Sequence, residues 1–96
     1  MGANKTSQTI DILSSKKKAH VKQIMGELYR NKIQSVFWIS TRQVVLTVNF
    51  KDVVKAIKIA SNVIEENKLE VKLWNEKYWQ EHALKFYNDY NNELNV

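Results

Sequence analysis

The chain has 96 residues, a formal net charge of +5 and no cysteine. A chain of this length can bury one modest core, and without cysteine it has no disulfide, no thiolate metal site and no cysteine nucleophile. It contains neither an apolar run of about 18 residues nor an apolar stretch close to its N-terminus, so we expect a soluble cytoplasmic protein without a membrane span or secretory signal.

The positive charge is concentrated in the first half of the chain. Residues 1–50 contain eight Lys or Arg and two acidic residues, a charge of +6, whereas residues 51–96 contain seven Lys and eight acidic residues, a charge of −1. An excess confined to one half can form a patch that attracts polyanions. The alternative is that the charge only keeps the protein in solution.

The N-terminal third is predicted to hold a strand and a helix. Residues 1–8 are polar and are expected to form a flexible tail. The segment QTIDIL alternates between apolar and polar residues, which predicts a strand with Ile10 and Ile12 on one face. Ser14 and Ser15 are candidate N-caps for a helix over residues 16–31. The apolar stripe of this helix consists of Val21, Ile24, Met25 and Leu28.

Two consecutive strands are predicted in the middle of the chain. The segments IQSVFWIS and RQVVLTVNF are rich in β-branched and aromatic residues, and the short STR segment between them predicts a hairpin. Alternation in the second of these strands separates two faces. The residues expected to face the core are Val44, Leu46, Val48 and Phe50.

A second helix and a last strand follow. Asp52 is the N-cap candidate of this helix, and Asn67 suits the left-handed residue that ends it. The apolar stripe of the helix consists of Val53, Ala56, Ile57, Ala60, Val63 and Ile64. The segment LEVKLW alternates again, which places Leu69, Val71 and Leu73 inward and Trp74 outward.

The predicted elements follow the order β-α-β-β-α-β, with a helix after them. This order is that of the ferredoxin-like arrangement, an α+β fold in which a four-stranded antiparallel sheet carries both helices on one face. The resemblance covers about residues 8–74 and is one of element order. We therefore predict a single domain over residues 9–96 that includes an aromatic C-terminal helix over residues 76–94.

The aromatic helix has one continuous apolar stripe, formed by Trp79, Ala83, Phe86, Tyr90 and Leu94. One interpretation is that it covers the open face of the sheet, where Trp74 would otherwise be exposed. A second is that it pairs with another copy, forming a homodimer, or with a different protein. The interface predicted for that case consists of Trp79, Phe86, Tyr87 and Tyr90.

Stacking of bases on the sheet is a third interpretation, because the RNA-recognition module shares the same element order. The strand RQVVLTVNF lacks the glycine and aromatic pattern of that module, and QTIDIL supplies no aromatic residue. Phe37 and Trp38 are neighbours in a predicted strand, so their side chains point to opposite faces of the sheet. Only one of them can therefore face a ligand. The sequence therefore does not predict a standard RNA-recognition module.

A cationic surface is predicted in the first half of the chain. Three lysines open the first helix, where the helix dipole disfavours cations, so their placement needs another reason. Lysine suits point-charge contact with phosphates, which predicts weak sequence specificity. The predicted nucleic-acid contacts are Lys16, Lys17, Lys18, Lys22, Arg30, Lys32 and Arg42. The alternative is an ordinary solvated face.

The sequence offers no catalytic constellation. His20 and His82 belong to different predicted helices, and the two glycines, Gly2 and Gly26, cannot form a phosphate-binding loop. Because glycine in a helix costs about 1 kcal/mol relative to alanine, Gly26 predicts a close approach by a neighbouring element. We expect no metal, cofactor or small-molecule substrate.

These observations predict a small basic domain that binds DNA or RNA in a regulatory or architectural role and is not an enzyme. The alternative is a protein-interaction or dimerisation module that uses the aromatic C-terminal helix.

Overall fold

The computed structural model describes residues 8–79 and Glu81. The elements in chain order are β1 (Thr9–Ser15), α1 (Lys18–Arg30), β2 (Ser35–Ser40), β3 (Gln43–Asn49), a 3₁₀ turn (Phe50–Asp52), α2 (Val53–Asn67) and β4 (Lys72–Leu73). Residues 76–79 and Glu81 are also helical. The predicted α+β class is confirmed. The predicted flexible tail, apart from Gln8, and most of the predicted helix 76–94 lie outside the described residues.

The four strands form one antiparallel sheet in the order β2-β3-β1-β4. β3 lies between β1 and β2, with Leu46 opposite both Leu13 and Phe37. β4 is short and pairs with the end of β1, where Lys72 lies opposite Ser14. The sheet therefore has β1 and β3 at its centre and β2 and β4 at its edges.

One face of the sheet carries both helices. Leu46 of β3 is fully buried there in a cluster with Val21 and Leu28 of α1 and Ile57 of α2. The predicted apolar stripes of both helices belong to or pack against this core, as do Leu69, Val71 and Leu73. The prediction for Phe50 is wrong, because this residue has left the strand, begins the 3₁₀ turn and is 39% exposed.

β1 departs from simple alternation because it contains a bulge. Its register with β3 shifts between Asp11 and Leu13, so that Ile12 and Leu13 are both fully buried. The predicted N-caps are also wrong, since Ser14 and Ser15 belong to the strand and α1 begins at Lys18. The Ser15 hydroxyl nevertheless accepts a hydrogen bond from the backbone N–H of Lys17 at 2.9 Å, just before the helix.

Several turns use left-handed backbone without glycine, among them the β2–β3 hairpin and the turn after α2. Thr41 and Arg42, which join β2 to β3, have φ values of 39° and 76°. Positive φ at both central residues is the signature of the type I′ turn, which matches the twist of the flanking strands. After α2 the left-handed residue is Lys68 and not Asn67 as predicted. Asn67 remains helical, and its side-chain amide donates to the Val63 carbonyl.

Gly26 does not mark a close approach. A Cβ atom added at this position would meet no atom within 4 Å, so the predicted contact with a neighbouring element is wrong. The position instead borders an open groove between α1 and α2.

Replacing Gly26 with alanine is therefore expected to stabilise the protein by about 1 kcal/mol, because alanine has the higher helix propensity and the site has room for its methyl group. Chemical denaturation would measure the change. Ala19→Gly, at an exposed position of the same helix, should lower stability by a similar amount. A destabilising Gly26→Ala would show that the methyl group is not accommodated.

The first turn of the aromatic C-terminal segment packs on the helix side of the sheet. Trp79 is 7% exposed and belongs to the core cluster, and its ring and that of Phe50 meet edge to face at a centroid distance of 6.0 Å. The Glu76 carboxylate accepts a hydrogen bond from the Ser61 hydroxyl of α2 at 2.9 Å. The described part of this segment therefore lies beside α2, and the interpretation that the aromatic helix covers the open face falls mainly on residues outside those described.

Candidate nucleic-acid interface

Several cations meet at one end of the sheet, here named the hairpin end because it contains the Thr41–Arg42 turn. The register places Ser15, the last residue of β1, opposite Val44, just beyond that turn. Lys16 follows Ser15 directly, and Lys72 lies opposite Ser14 on the neighbouring strand. Lys16, Arg42 and Lys72, the rim cations, are all exposed. Among the described residues, none of the three forms an ion pair.

Lys17 is also at the hairpin end but is engaged within the protein. Its ammonium group lies 2.8 Å from the Glu70 carboxylate, and this contact lowers the pKa of Glu70 below its ordinary value of 4.5. The Ser15 hydroxyl donates to the Glu70 carbonyl, and Nδ1 of His20 accepts the Glu70 backbone N–H at 3.0 Å. Since a lowered carboxyl pKa favours the folded state above the unfolded pKa, this small contribution is lost as the pH falls through the folded pKa.

Lys18 is directed toward the helix side of the sheet. Its ammonium group lies 5.2 Å from the ring centroid of Phe37, within the range of a cation–π contact. Phe37 faces the same side as Leu46, so the contact holds Lys18 away from the opposite face.

The other three predicted contacts lie elsewhere. Arg30 is the last residue of α1 and Lys32 follows shortly after it, at the far end of a helix whose 13 residues span about 20 Å. Arg30 is paired with Glu27 at 2.9 Å, and Lys22 borders the groove between α1 and α2. The seven predicted residues therefore divide into two groups, of which only Lys16, Lys17, Lys18 and Arg42 meet at the hairpin end.

The sheet face opposite the helices, here named the outer face, carries Trp38. Its partner across the strand is Val45, which alternates with the core residues of β3. The indole N–H of Trp38 donates to the Thr47 hydroxyl at 3.0 Å, and that hydroxyl donates to the Asp11 carboxylate at 2.6 Å. This chain crosses three strands, satisfies the Thr47 hydroxyl and fixes the direction of the indole N–H. The Trp38 side chain remains 43% exposed.

A second tryptophan lies across the same face. The indole N–H of Trp74 donates to the Ser14 hydroxyl at 3.0 Å, and Ser14 faces outward beside Val45. Trp74 is half-buried and borders a shallow depression. The other side chains around that depression are Ser14, Gln43, Lys72, Leu73 and Asn75. The outer face therefore combines two anchored indoles with a polar depression and a nearby lysine.

Sequence reasoning did not include Lys72, Trp38 or Trp74 among the site residues. Strand parity predicted that Trp74 points outward and that Trp38 and Phe37 point to opposite faces. Parity alone could not show which strands are neighbours or how they are aligned, and it is the observed register that places Trp38 and Lys72 in one row, with Trp74 beside them.

The predicted partner interface is described only at Trp79, whose side chain is buried in the core. Its neighbour Tyr78 is 51% exposed, and the two rings meet edge to face at 4.9 Å. Phe86, Tyr87 and Tyr90 lie outside the described residues.

Two other kinds of site were sought in the described part of the chain. It contains no group of three or more His, Asp or Glu side chains that could hold a metal ion. None of the helices within residues 8–79 is long and apolar enough to cross a membrane.

Comparison of the chain with protein-family models, with curated proteins and with solved structures gave no match. The function has therefore to be argued from the geometry of the chain itself.

Proposed function

We propose that the protein is a small nucleic-acid-binding domain that contacts its ligand mainly through phosphates and with weak sequence specificity. The observation that carries this proposal is the convergence of Lys16, Arg42 and Lys72 at the hairpin end without an ion-pair partner among the described residues. Unpaired, exposed cations favour a polyanion because each phosphate contact releases a condensed counterion.

The proposed role is regulatory or architectural and not enzymatic. The lysine-rich rim suits contacts to phosphates better than the bidentate reading of guanine, for which arginine is the preferred residue. His20 accepts a backbone hydrogen bond from Glu70, which gives this histidine a structural use. A cytoplasmic location fits such a protein.

We also propose that the fold is ferredoxin-like in its strand order and helix placement as well as in the order of its elements along the chain. The β-α-β-β-α-β succession supports this assignment, as does the antiparallel order β2-β3-β1-β4, with the first and third strands at the centre. The position of both helices against one face of the sheet is consistent with it and leaves the outer face without a helix from residues 9–73.

The test is a titration of fluorescently labelled single- and double-stranded RNA and DNA, followed by anisotropy at about 50 and 200 mM salt. Three to six phosphate contacts should weaken binding by roughly tenfold to a thousandfold between the two conditions. Absence of binding to all four nucleic acids at the lower salt concentration would overturn the proposal.

One observation favours the alternative of a protein-interaction or homodimerisation module. β2 is an edge strand, and its Val36 and Ile39 side chains are 61% and 68% exposed. An edge strand with exposed apolar residues can pair with a strand of another chain. The interaction module would be favoured if the protein binds no nucleic acid and if its molar mass, measured by light scattering, rises from that of a monomer to that of a dimer as the protein concentration increases.

A further inference from the structure

We propose that the outer face binds single-stranded nucleic acid by stacking bases on Trp38 and Trp74, with the sugar-phosphate backbone passing the rim cations. This inference rests on the proposed function and adds the kind of nucleic acid and the surface that receives it. It adds a base-stacking surface on the sheet to the phosphate contacts at the hairpin end.

The two indoles are already held in place without a ligand. Each uses its one N–H donor within the protein, Trp38 toward Thr47 and Trp74 toward Ser14. A fixed ring loses little conformational freedom when a base stacks on it, and stacking itself needs only an accessible π face. Trp38 provides exposed ring surface, and Trp74 borders an open depression.

The separation of the two rings suits a chain of several nucleotides. β2 carries Trp38, and Trp74 directly follows β4; the backbones of these two edge strands are three strand spacings apart, about 14 Å, and both indoles reach inward to the central strands. Between them Val45 and Ser14 are almost completely buried, and among residues 8–79 the two indoles are the aromatic groups on this surface. A polynucleotide that stacks one base at each ring would cross the strands.

The charges on this surface favour a polyanion. Lys72 lies on the outer face in the same cross-strand row as Trp38 and closer to the hairpin end than Trp74, and Lys16 and Arg42 border that end. Asp11 is the one acidic residue that the register places on the outer face within the described strands. Its carboxylate accepts a hydrogen bond from Thr47, on the side of the face away from Lys72.

The same arrangement distinguishes single strands from duplexes. Bases in a duplex are stacked on each other and paired, so they cannot lie on a tryptophan without being extruded. Unpaired bases have free faces, and stacking on aromatic side chains is tolerant of sequence. The rings therefore predict a preference for single strands, which phosphate contacts alone would not produce.

The test compares Trp38→Leu, Trp74→Leu and Tyr29→Leu in binding to single-stranded oligouridylate and oligothymidylate. Each tryptophan variant should lose about 5- to 150-fold in affinity, because one stacked base is removed while the cations remain. Tyr29 is 80% exposed on α1, so its substitution removes an exposed aromatic residue from another surface and should have little effect. Trp38→Phe should retain most of the affinity, since it keeps a ring for stacking.

Folding of each variant is checked by thermal unfolding followed by circular dichroism. If Trp74→Leu does not fold, Val36→Glu provides the second test, because Val36 is exposed on the outer face and a negative charge there should weaken binding.

Folded Trp38→Leu and Trp74→Leu variants that bind as well as the unaltered protein would overturn the stacking surface and leave the proposed function standing. Equal affinity for duplex and single strand would overturn it as well. An unaltered protein that binds no nucleic acid would instead remove the proposed function.

Discussion

Replacing Trp79 with alanine is expected to lower the free energy of unfolding by about 3–5 kcal/mol. The indole is 7% exposed, belongs to the core cluster and meets the rings of Phe50 and Tyr78 edge to face. Its removal would leave a cavity in the core cluster beside Phe50. Because small domains have a total stability of about 5–15 kcal/mol, urea denaturation should show a large shift of the midpoint.

Tyr29→Ala is the control for this prediction. Tyr29 is 80% exposed, so losing its ring should change stability by no more than about 0.5 kcal/mol. Trp79→Phe keeps an aromatic ring in the core and should fall between the two. A loss below about 1 kcal/mol for Trp79→Ala would mean that the C-terminal segment is not part of the folded core, and its aromatic residues would then be available to a partner.

The helices and the central strands were predictable because their patterns are long and regular. The stripes from Val21 to Leu28 and from Val53 to Ile64 each repeat with the helical period over several turns, and both lie against the sheet as predicted. Val44, Leu46 and Val48 alternate without interruption and face the helices. In each of these elements, only one orientation buries all the apolar residues of the pattern, so the sequence indicates clearly which side faces the core.

The failures have local causes that the same patterns cannot show. The bulge after Asp11 turns Leu13 to the core by inserting one residue, and alternation has no signal for such an insertion. Lys68 adopts the left-handed conformation although Asn67 has the higher preference for it, because α2 continues one residue further. Gly26 was interpreted as a packing residue, yet the space above it is open.

The candidate site was only partly predictable, because it depends on the order of strands in space. Lys16 and Arg42 were singled out from local charge, and the register brings them to one end of the sheet. Arg30 and Lys32 have the same charge but lie at the opposite end of α1. Lys72 belongs to the half of the chain with a net charge of −1, so composition directed attention away from it.

Reversing the charge of the rim cations is expected to have the largest effect on nucleic-acid binding. The triple variant Lys16→Glu, Arg42→Glu, Lys72→Glu should bind single strands more weakly by on the order of a hundredfold at 50 mM salt, since it removes three phosphate contacts and adds three repulsive charges. The plot of log affinity against log salt concentration should become shallower. The magnitude of its slope should decrease by about 2, because each lost phosphate contact on a single strand contributes about 0.7.

The matched control is Lys51→Glu, Lys55→Glu, Lys58→Glu, which changes the net charge by the same amount. These three lysines are exposed on the 3₁₀ turn and on α2, remote from the hairpin end along the chain path. If binding depends on the site, the control should lose several-fold less affinity and keep its salt slope. If both triple variants lose affinity and slope equally, net charge alone governs binding, and the hairpin end is not the place where phosphates are held.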